Sequence, residues 1–169
     1  MDSRLLTKLC KSNKDIKQYF YGVYSSDLIP INFSFYPCFI IVNTHPSSKS
    51  GEHWCVFFFI SSKFLEIFDS LGFDLHSNLY FFNYIKNNLK CVDISFNKNQ
   101  LQSSNSDLCG LHALYFIYYK CKTKKSLPVI VKLYYFENRD FNDCLVFKKV
   151  KKHFKITDQI NNLKGGSKC

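Results

Sequence analysis

The sequence lacks any apolar stretch long enough to cross a bilayer. Its apolar run CVFFFI, at 55–60, is far shorter than the roughly 20 residues that a transmembrane helix needs. The opening stretch, MDSRLLTKLCKSNKDIKQY, has no basic segment followed by an apolar core, so it does not resemble a secretory leader. It predicts instead an amphipathic helix at about 2–12. We therefore expect an intracellular, soluble protein with no membrane partner.

Closely spaced cysteine pairs are also absent. The eight cysteines are scattered, at positions 10, 38, 55, 91, 109, 121, 144 and 169, and no two form a Cys-x-x-Cys motif. This spacing argues against a zinc ribbon, and the missing leader argues against a secreted disulfide framework. We expect mostly buried thiols and no metal site.

Acidic residues are few. The chain has 13 Asp and Glu against 23 Lys and Arg, which gives a formal net charge of +10. An excess of this sign suits a polyanionic partner, nucleic acid above all. The alternative, that AT-rich coding simply favours Lys, Asn, Phe and Tyr, has about equal weight.

What the chain does contain is apolar and aromatic residues, at 46% and 18% of 169 residues. This composition excludes a disordered chain and is enough for one domain with a real core. We place that single domain at 1–156. The polar stretch NLKGGSKC leads us to predict a flexible tail at 157–169.

Apolar periodicity along the chain predicts an α+β fold. Strands are expected at 38–43, 53–61, 63–70 and 91–97, and helices at about 75–90, 108–120, 126–136 and 141–154. The stretch 19–37 contains Gly22, Pro30 and Pro37 and predicts a loop-rich segment. The segment LCGLHALYFIYYK is apolar on nearly every side, so we expect it to be a central buried helix, packed with other helices on a small mixed sheet.

Cys109, at the start of that central helix, is the candidate nucleophile. The preceding loop ends in Asn105, Ser106 and Asp107, which are good N-cap residues. A helix N-terminus stabilises a thiolate through its dipole and exposes backbone N–H groups. Gly110, next in the chain, lets a substrate approach the backbone. Taken alone, however, a Cys-Gly pair at a helix start is more often structural than catalytic.

Three polar residues elsewhere supply what a catalytic cysteine needs. His53 opens a strand in GEHW, and Asp69 closes the next strand in EIFDSLGF, so the two side chains could meet and orient the imidazole. Gln102 lies in the loop before Cys109 and is a plausible amide donor to an oxyanion. Individually they could be a surface histidine, a turn aspartate and a loop glutamine. The set favours cysteine catalysis.

The motifs GEHW, IFDSLGF and QSSNSDLCG resemble the adenovirus endopeptidase (adenain) family of cysteine proteases, found in adenoviruses, polintons and virophages. More distantly, the order His, acid, Gln, Cys is similar to the SUMO-specific proteases. The likeness runs from about residue 15 to residue 120 and implies a papain-like arrangement. Cys109 would be the nucleophile, His53 the general base and acid and Asp69 its orienter, with Gln102 and the Cys109 N–H as the oxyanion hole. Gly110 and Trp54 would support the site.

Two positions depart from this family pattern. The adenoviral enzymes carry Glu where this chain has Asp69, and an aromatic residue where it has His112. His112 lies three residues after Cys109 and could be mistaken for its base. Because side chains lean toward the helix N-terminus and His112 lies one turn deeper in an apolar helix, we predict a buried, hydrogen-bonded histidine instead.

The resemblance also implies two activators, although the chemistry itself needs no cofactor. Cys91 lies eleven residues before Gln102, where the adenoviral enzymes form a disulfide with an activating peptide; a buried strand cysteine is the alternative. DNA is the other activator, and a basic segment suits it electrostatically. A solvated lysine face explains that segment about as well. Its lysines are Lys148, Lys149, Lys151, Lys152 and Lys155.

The resemblance finally implies a substrate class. We expect a monomeric cysteine endopeptidase that processes capsid or virion precursor proteins after Gly-Gly or Gly-Xaa, in the virion and host cell interior (nucleus or cytoplasmic virus factory). The tail sequence Leu-Lys-Gly-Gly at 163–166 fits that preference and predicts cleavage between Gly166 and Ser167; a flexible end is the simpler interpretation. The alternatives are a deubiquitinase or SUMO-type isopeptidase, and an inactive DNA-binding module of the same fold.

Overall fold

The structure is a computed structural model that describes residues 1–89 and 92–154. Within these ranges it contains five α-helices and five strands, in an α+β arrangement. The helices are α1 (Ser3–Ser12), α2 (Leu79–Asn88), α3 (Cys109–Thr123), α4 (Leu127–Val131) and α5 (Arg139–Phe154). The strands are β1 (Phe20–Ser25), β2 (Cys38–Asn43), β3 (Trp54–Ser61), β4 (Phe64–Asp69) and β5 (Asp93–Phe96). Short 3-10 helices occupy Lys17–Tyr19 and Leu75–Ser77.

The strands form one mixed sheet in chain order, β1-β2-β3-β4-β5. The central pairs β2–β3 and β3–β4 are antiparallel, whereas the outer pairs β1–β2 and β4–β5 are parallel. A tight turn at 62–63 joins β3 to β4. The small mixed sheet with packed helices is therefore confirmed.

Both faces of the sheet are buried, which explains the nearly continuous apolar runs in β2 and β3. Alternate residues point to opposite faces, so Phe39 and Val56 join one apolar cluster while Ile40 and Phe57 join the other. Helices α1, α3 and α5 pack in the first cluster, and α2 packs in the second. The two clusters together place the central strands in the core.

Helix α3 is buried along most of its length, as its all-round apolar character predicted. Its Phe116 ring stacks on Phe68 of β4, with ring centroids 4.6 Å apart. At the far end of the helix, Lys120 is only 5% exposed and pairs with the buried Glu66 at 2.5 Å. α3 is thereby fixed against the middle of the sheet, with Cys109 at its first turn.

Three local predictions were wrong. The stretch predicted to be loop-rich contains strand β1, which is only half-buried along its length and takes its order from parallel pairing with β2. That pairing is non-local, so apolar periodicity within the segment could not reveal it. The helices predicted at about 75–90 and 126–136 are shorter, because a 3-10 turn precedes α2 and α4 ends at Val131.

The predicted domain boundary at 156 and the tail at 157–169 lie outside the described residues, as do Cys91, Lys155, Gly166 and Ser167. These predictions stay predictions. No helix in the described part of the chain has the length and apolarity that a membrane span requires.

Candidate active site

The four residues expected to carry the chemistry line one cavity of about 770 Å³. It lies at one end of the sheet, where the start of β3, the end of β4 and the first turn of α3 meet. Cys109, His53, Asp69 and Gln102 all contribute to its wall, and so does Trp54. The fold therefore brings together residues that are up to 56 positions apart in the chain, from His53 to Cys109.

His53 and Asp69 form a direct hydrogen bond. The His53 Nε2 lies 2.6 Å from the Asp69 Oδ1, and each side chain is 12% exposed. The strand register explains the contact, since Cys55 pairs directly with Asp69 across β3 and β4. His53 lies two residues before Cys55, and residues two apart in an extended chain face the same side. The predicted meeting of His53 with Asp69 is confirmed as geometry.

The electrostatics of this pair favour an imidazolium beside a carboxylate. Burial by itself lowers the pKa of His53, but the hydrogen bond to Asp69 and the nearby Cys109 outweigh it and raise the pKa to about 10. Burial raises the pKa of Asp69, but the hydrogen bond from His53 outweighs it and the pKa is lowered. His53 is thus coupled to both the carboxylate behind it and the sulfur in front of it.

Further donors hold Asp69 in place. The Leu71 backbone N–H donates to Oδ1 at 2.8 Å, and the Cys55 thiol donates to Oδ2 at 3.2 Å. The Asn97 side chain bridges the Asp69 backbone, accepting from its N–H at 3.0 Å and donating to its carbonyl at 2.6 Å. This network fixes both the backbone and the carboxylate of Asp69.

Cys109 is the first residue of α3 and is 7% exposed. The N-cap of this helix is Leu108, which makes no side-chain capping hydrogen bond. The expectation that Asn105, Ser106 or Asp107 would cap the helix is therefore wrong, because the helix begins two residues beyond the last of them. An uncapped start leaves N–H groups of the first turn available to a ligand.

Gln102 is held by two serines. The Ser70 Oγ donates to the Gln102 Oε1 at 2.7 Å, which fixes the orientation of the amide. The Gln102 Nε2 then donates to the carbonyl of Ser106. The Ser70 carbonyl also accepts from the backbone N–H groups of Leu101 and Gln102, at 2.8 and 2.9 Å. The loop carrying Gln102 is therefore tied to the end of β4.

Trp54 and Gly110 meet at the N-terminal residue. The Trp54 Nε1 donates to the Met1 carbonyl at 3.0 Å, and Trp54 is 8% exposed. A Cβ added to Gly110 would lie 3.0 Å from the Met1 sulfur, so a larger residue here would require the Met1 side chain to shift. Trp54 thus packs beside the site, as predicted, and Gly110 admits the Met1 side chain against the first turn of α3.

His112 does not face the cavity. Its Nε2 lies 2.8 Å from the Asp143 Oδ1, and its side chain is 0% exposed. Burial outweighs the carboxylate and lowers the pKa of His112. The prediction of a buried, hydrogen-bonded histidine is confirmed, and its partner comes from α5.

One group of potential metal ligands occurs in the described residues. Ligand atoms of His53, Cys55 and Asp69 lie within 4.8 Å of one another. Hydrogen bonds at 2.6 and 3.2 Å already account for these short distances. The close approach of the three side chains is therefore explained by hydrogen bonds from His53 and Cys55 to Asp69. The expectation of no metal site stays a prediction.

The other predicted sites can be placed only in part. Lys148, Lys151 and Lys152 are exposed on α5, and Lys149 is half-buried. Cys91 and Lys155 lie outside the described residues.

Sequence reasoning missed three residues of the site: Cys55, Ser70 and Asn97. The spacing His-x-Cys at the start of a strand could have indicated that Cys55 shares a face with His53. Ser70 and Asn97 carried no such signal, because their partners lie 32 and 28 residues away in the chain.

Comparison with known proteins identifies the family of the chain. The family model of adenovirus endoproteases matches residues 20–160, which is most of the chain. The chain belongs to the adenovirus endoprotease family. The resemblance found in the sequence motifs is therefore confirmed, and with it the papain-like α+β arrangement.

Individual relatives match more weakly. The chain is 31% identical over 90 residues to a protease of ovine adenovirus D serotype 7 (isolate OAV287), covering 46% of this chain and 44% of that protein. It thus spans less than half of that relative. Among solved structures, a protease of ASFV matches at a TM-score of 0.42 and 18% identity, over 70% of this chain and 44% of the other. The central domain of an uncharacterized Legionella pneumophila protein matches at a TM-score of 0.53 and 15% identity, over 92% of this chain and 98% of the other, and shares the fold.

Proposed function

We propose that this protein is a viral cysteine endopeptidase in which Cys109 is the nucleophile, His53 the general base and acid, and Asp69 its orienter. The observation that carries the proposal is the His53–Asp69 hydrogen bond of 2.6 Å in the cavity that Cys109 lines. Cys109 contributes to the raised pKa of His53, which is the coupling expected of a thiolate–imidazolium pair. Family membership supports the same chemistry.

The proposed reaction proceeds in two halves. Because the His53 Nε2 is engaged by Asp69, its Nδ1 is the nitrogen that serves Cys109. The Cys109 sulfur attacks the scissile carbonyl, and His53 gives a proton to the departing amine, which leaves an acyl-enzyme thioester. A water molecule then gives its proton to His53 and attacks the thioester; collapse returns the thiolate and releases the acid.

Gln102 and the backbone N–H of Cys109 are the proposed oxyanion hole. The Gln102 Oε1 accepts from Ser70, so its Nε2 bears two protons toward the opposite side. One of them goes to the Ser106 carbonyl, and the second is free to donate to the oxyanion. The uncapped start of α3 supports donation by Cys109 in the same way.

The proposed substrates are capsid or virion precursor proteins, cut after Gly-Gly or Gly-Xaa, by a monomer acting in the virion and in the host cell (nucleus or cytoplasmic virus factory). Family membership supports this choice. A fluorogenic Leu-Xaa-Gly-Gly peptide tests the activity directly. We expect turnover by wild type and none by Cys109→Ala or His53→Ala. Cys121→Ala is the matched control, because Cys121 is a buried thiol near the other end of the same helix.

Protein substrates, thiol labelling and DNA binding separate the alternatives. Cleavage of ubiquitin-like fusions, with virion precursors left intact, would replace the proposal by an isopeptidase. Absence of turnover, together with no labelling of Cys109 by a thiol-directed vinyl sulfone and salt-sensitive DNA binding, would replace it by an inactive DNA-binding module.

DNA and an activating peptide are proposed as regulators. The three exposed lysines of α5 and the net charge of +10 support a DNA contact. We expect duplex DNA to raise turnover, and the variant with Lys148, Lys149, Lys151 and Lys152 all changed to Gln to lose that response while its basal rate is unchanged. The peptide disulfide at Cys91 is tested by Cys91→Ser, which should abolish activation by a Cys-containing peptide and leave activation by DNA intact.

Trimming of the tail between Gly166 and Ser167 is proposed on the Leu-Lys-Gly-Gly sequence that precedes it. Intact-mass measurement of Cys109→Ala incubated with active enzyme tests this. A loss of Ser167–Cys169 is expected, and a tail that survives would refute the idea.

A further inference from the structure

We propose that Cys55 is a positioning residue of the active site, whose thiol holds the Asp69 carboxylate in the orientation that His53 requires. The inference rests on the proposed function, because it assigns Cys55 a role behind the proposed catalytic residues. Cys55 itself is not among the residues that line the cavity, so it would act through Asp69.

The contact is specific in its geometry. The Cys55 Sγ lies 3.2 Å from the Asp69 Oδ2, and Cys55 is 0% exposed. Cys55 and Asp69 are directly paired across the antiparallel strands β3 and β4, so their side chains point to the same face. His53 is on that face too, two residues earlier in the chain. The three side chains are therefore aligned by the sheet itself.

The two carboxylate oxygens differ in how they are held. Oδ1 accepts from His53 and from the Leu71 backbone N–H. For Oδ2, the Cys55 thiol is the donor that the described residues provide. Without it, a buried charged oxygen would lose its hydrogen bond, and the carboxylate could rotate away from the imidazole to find another.

A thiol suits this place because its surroundings are apolar. Cys55 lies in the cluster that contains Ile40, Phe57 and Ile67. A thiol is a weak donor that packs as a small hydrophobe, so it can serve the carboxylate without requiring water. Burial, followed by the nearby Asp69 charge, raises the pKa of Cys55 well above its usual range, which favours the protonated, donating form of the thiol.

The test is the pH profile of kcat/KM for Cys55→Ala, Cys55→Ser and wild type, measured in EDTA so that no metal bridges the three groups. Loss of the donor should weaken the thiolate–imidazolium pair. The bell-shaped pH profile of Cys55→Ala should then be narrower on both its acidic and its alkaline side. Its maximal kcat/KM should be about tenfold lower than that of wild type. Cys55→Ser keeps a hydroxyl donor, so its pH profile should be nearly as wide as that of wild type and its kcat/KM nearly as high.

Cys38→Ala is the matched control. Cys38 is also 0% exposed, lies in the same apolar cluster, and is on the neighbouring strand without a contact to Asp69. Both alanine variants remove a buried sulfur, so both should lower the unfolding midpoint. Only Cys55→Ala should change the pH profile.

A second readout does not depend on peptide cleavage. The rate at which iodoacetamide alkylates Cys109, followed by mass spectrometry across pH, reports thiolate formation directly. We expect its half-maximal point to shift to higher pH in Cys55→Ala and to stay in place in Cys38→Ala. If wild type cleaves no peptide yet this shift occurs, the proposed function fails while the positioning role of Cys55 stands. An unchanged profile in Cys55→Ala, or equal effects of Ala and Ser, would overturn the inference.

Discussion

The Ser70 Oγ donates to the Gln102 Oε1 at 2.7 Å, and Ser70 directly follows Asp69 in the chain. The end of β4 therefore positions both halves of the proposed machinery. Asp69 holds His53 on one side, and Ser70 orients the amide of Gln102 on the other. A displacement of this corner would disturb the base and the oxyanion donor together.

Ser70→Ala should lower kcat about tenfold with little change in KM. The amide of Gln102 would lose the bond that fixes its orientation, and that matters most when negative charge develops on the substrate oxygen. Steady-state kinetics on the Leu-Xaa-Gly-Gly peptide measure the split. Ser62→Ala, at the exposed β3–β4 turn, is the control and should behave as wild type. An increase in KM alone would contradict the assigned role.

Asp69→Asn should lower kcat/KM about a thousandfold, because an amide cannot balance the imidazolium charge. In wild type, the pKa of His53 is raised to about 10, so the alkaline limb of activity should lie near that pH. In Asp69→Asn the alkaline limb should move down toward the ordinary pKa of histidine. Retention of the wild-type limb would show that Asp69 does not act on His53.

The same pair predicts how stability depends on pH. The pKa of His53 is higher in the folded protein than the ordinary value of about 6.5. The pair therefore adds to the free energy of unfolding, and this contribution is complete below about pH 6.5. This contribution is lost as pH rises toward 10. Urea unfolding of wild type and His53→Gln at pH 6 and pH 10 measures it. The difference in the free energy of unfolding between the two proteins should be smaller at pH 10 than at pH 6.

The buried His112–Asp143 pair should matter for stability and not for chemistry. Asp143→Ala would leave the His112 Nε2 buried without its partner, at a cost of about 2 kcal/mol in the free energy of unfolding. The double variant His112→Phe/Asp143→Leu should recover much of that loss, since it removes both polar groups. Urea denaturation gives the free energies. kcat/KM per folded molecule should stay at the wild-type value in both.

The charge of the cleft should select basic substrates. Carboxylates of Glu52, Asp74 and Asp107 line the cavity, and none of its described lining residues is Lys or Arg. A peptide with Lys flanking Leu-Xaa-Gly-Gly should therefore be cleaved several-fold more efficiently than the same peptide with Glu, and added salt should reduce the difference. Asp107→Asn and Asp74→Asn should reduce it too. Equal kcat/KM for the Lys and Glu peptides at low salt would exclude electrostatic selection.

The sequence by itself determined the local elements with strong apolar patterns. Strand β2 was predicted within its observed limits because both its faces are buried, and α3 because its residues are apolar all round. The order His53, Asp69, Gln102, Cys109 also indicated the candidate site, since these residue types have few other reasons to occur in that set. Helix geometry alone also showed that His112 is not the catalytic base, because side chains lean toward the helix N-terminus and His112 lies one turn beyond Cys109.

Only the tertiary structure decided the contacts that depend on register and on distant partners. Strand β1 is a strand because β2 lies beside it, and nothing in its own periodicity indicates that pairing. The Cys55 thiol reaches Asp69 because β3 and β4 pair in one register, and a shift by one residue would turn it to the opposite face. Ser70 and Asn97 meet their partners across loops. Hydrogen bonds of this kind are set by packing, which a linear sequence does not encode locally.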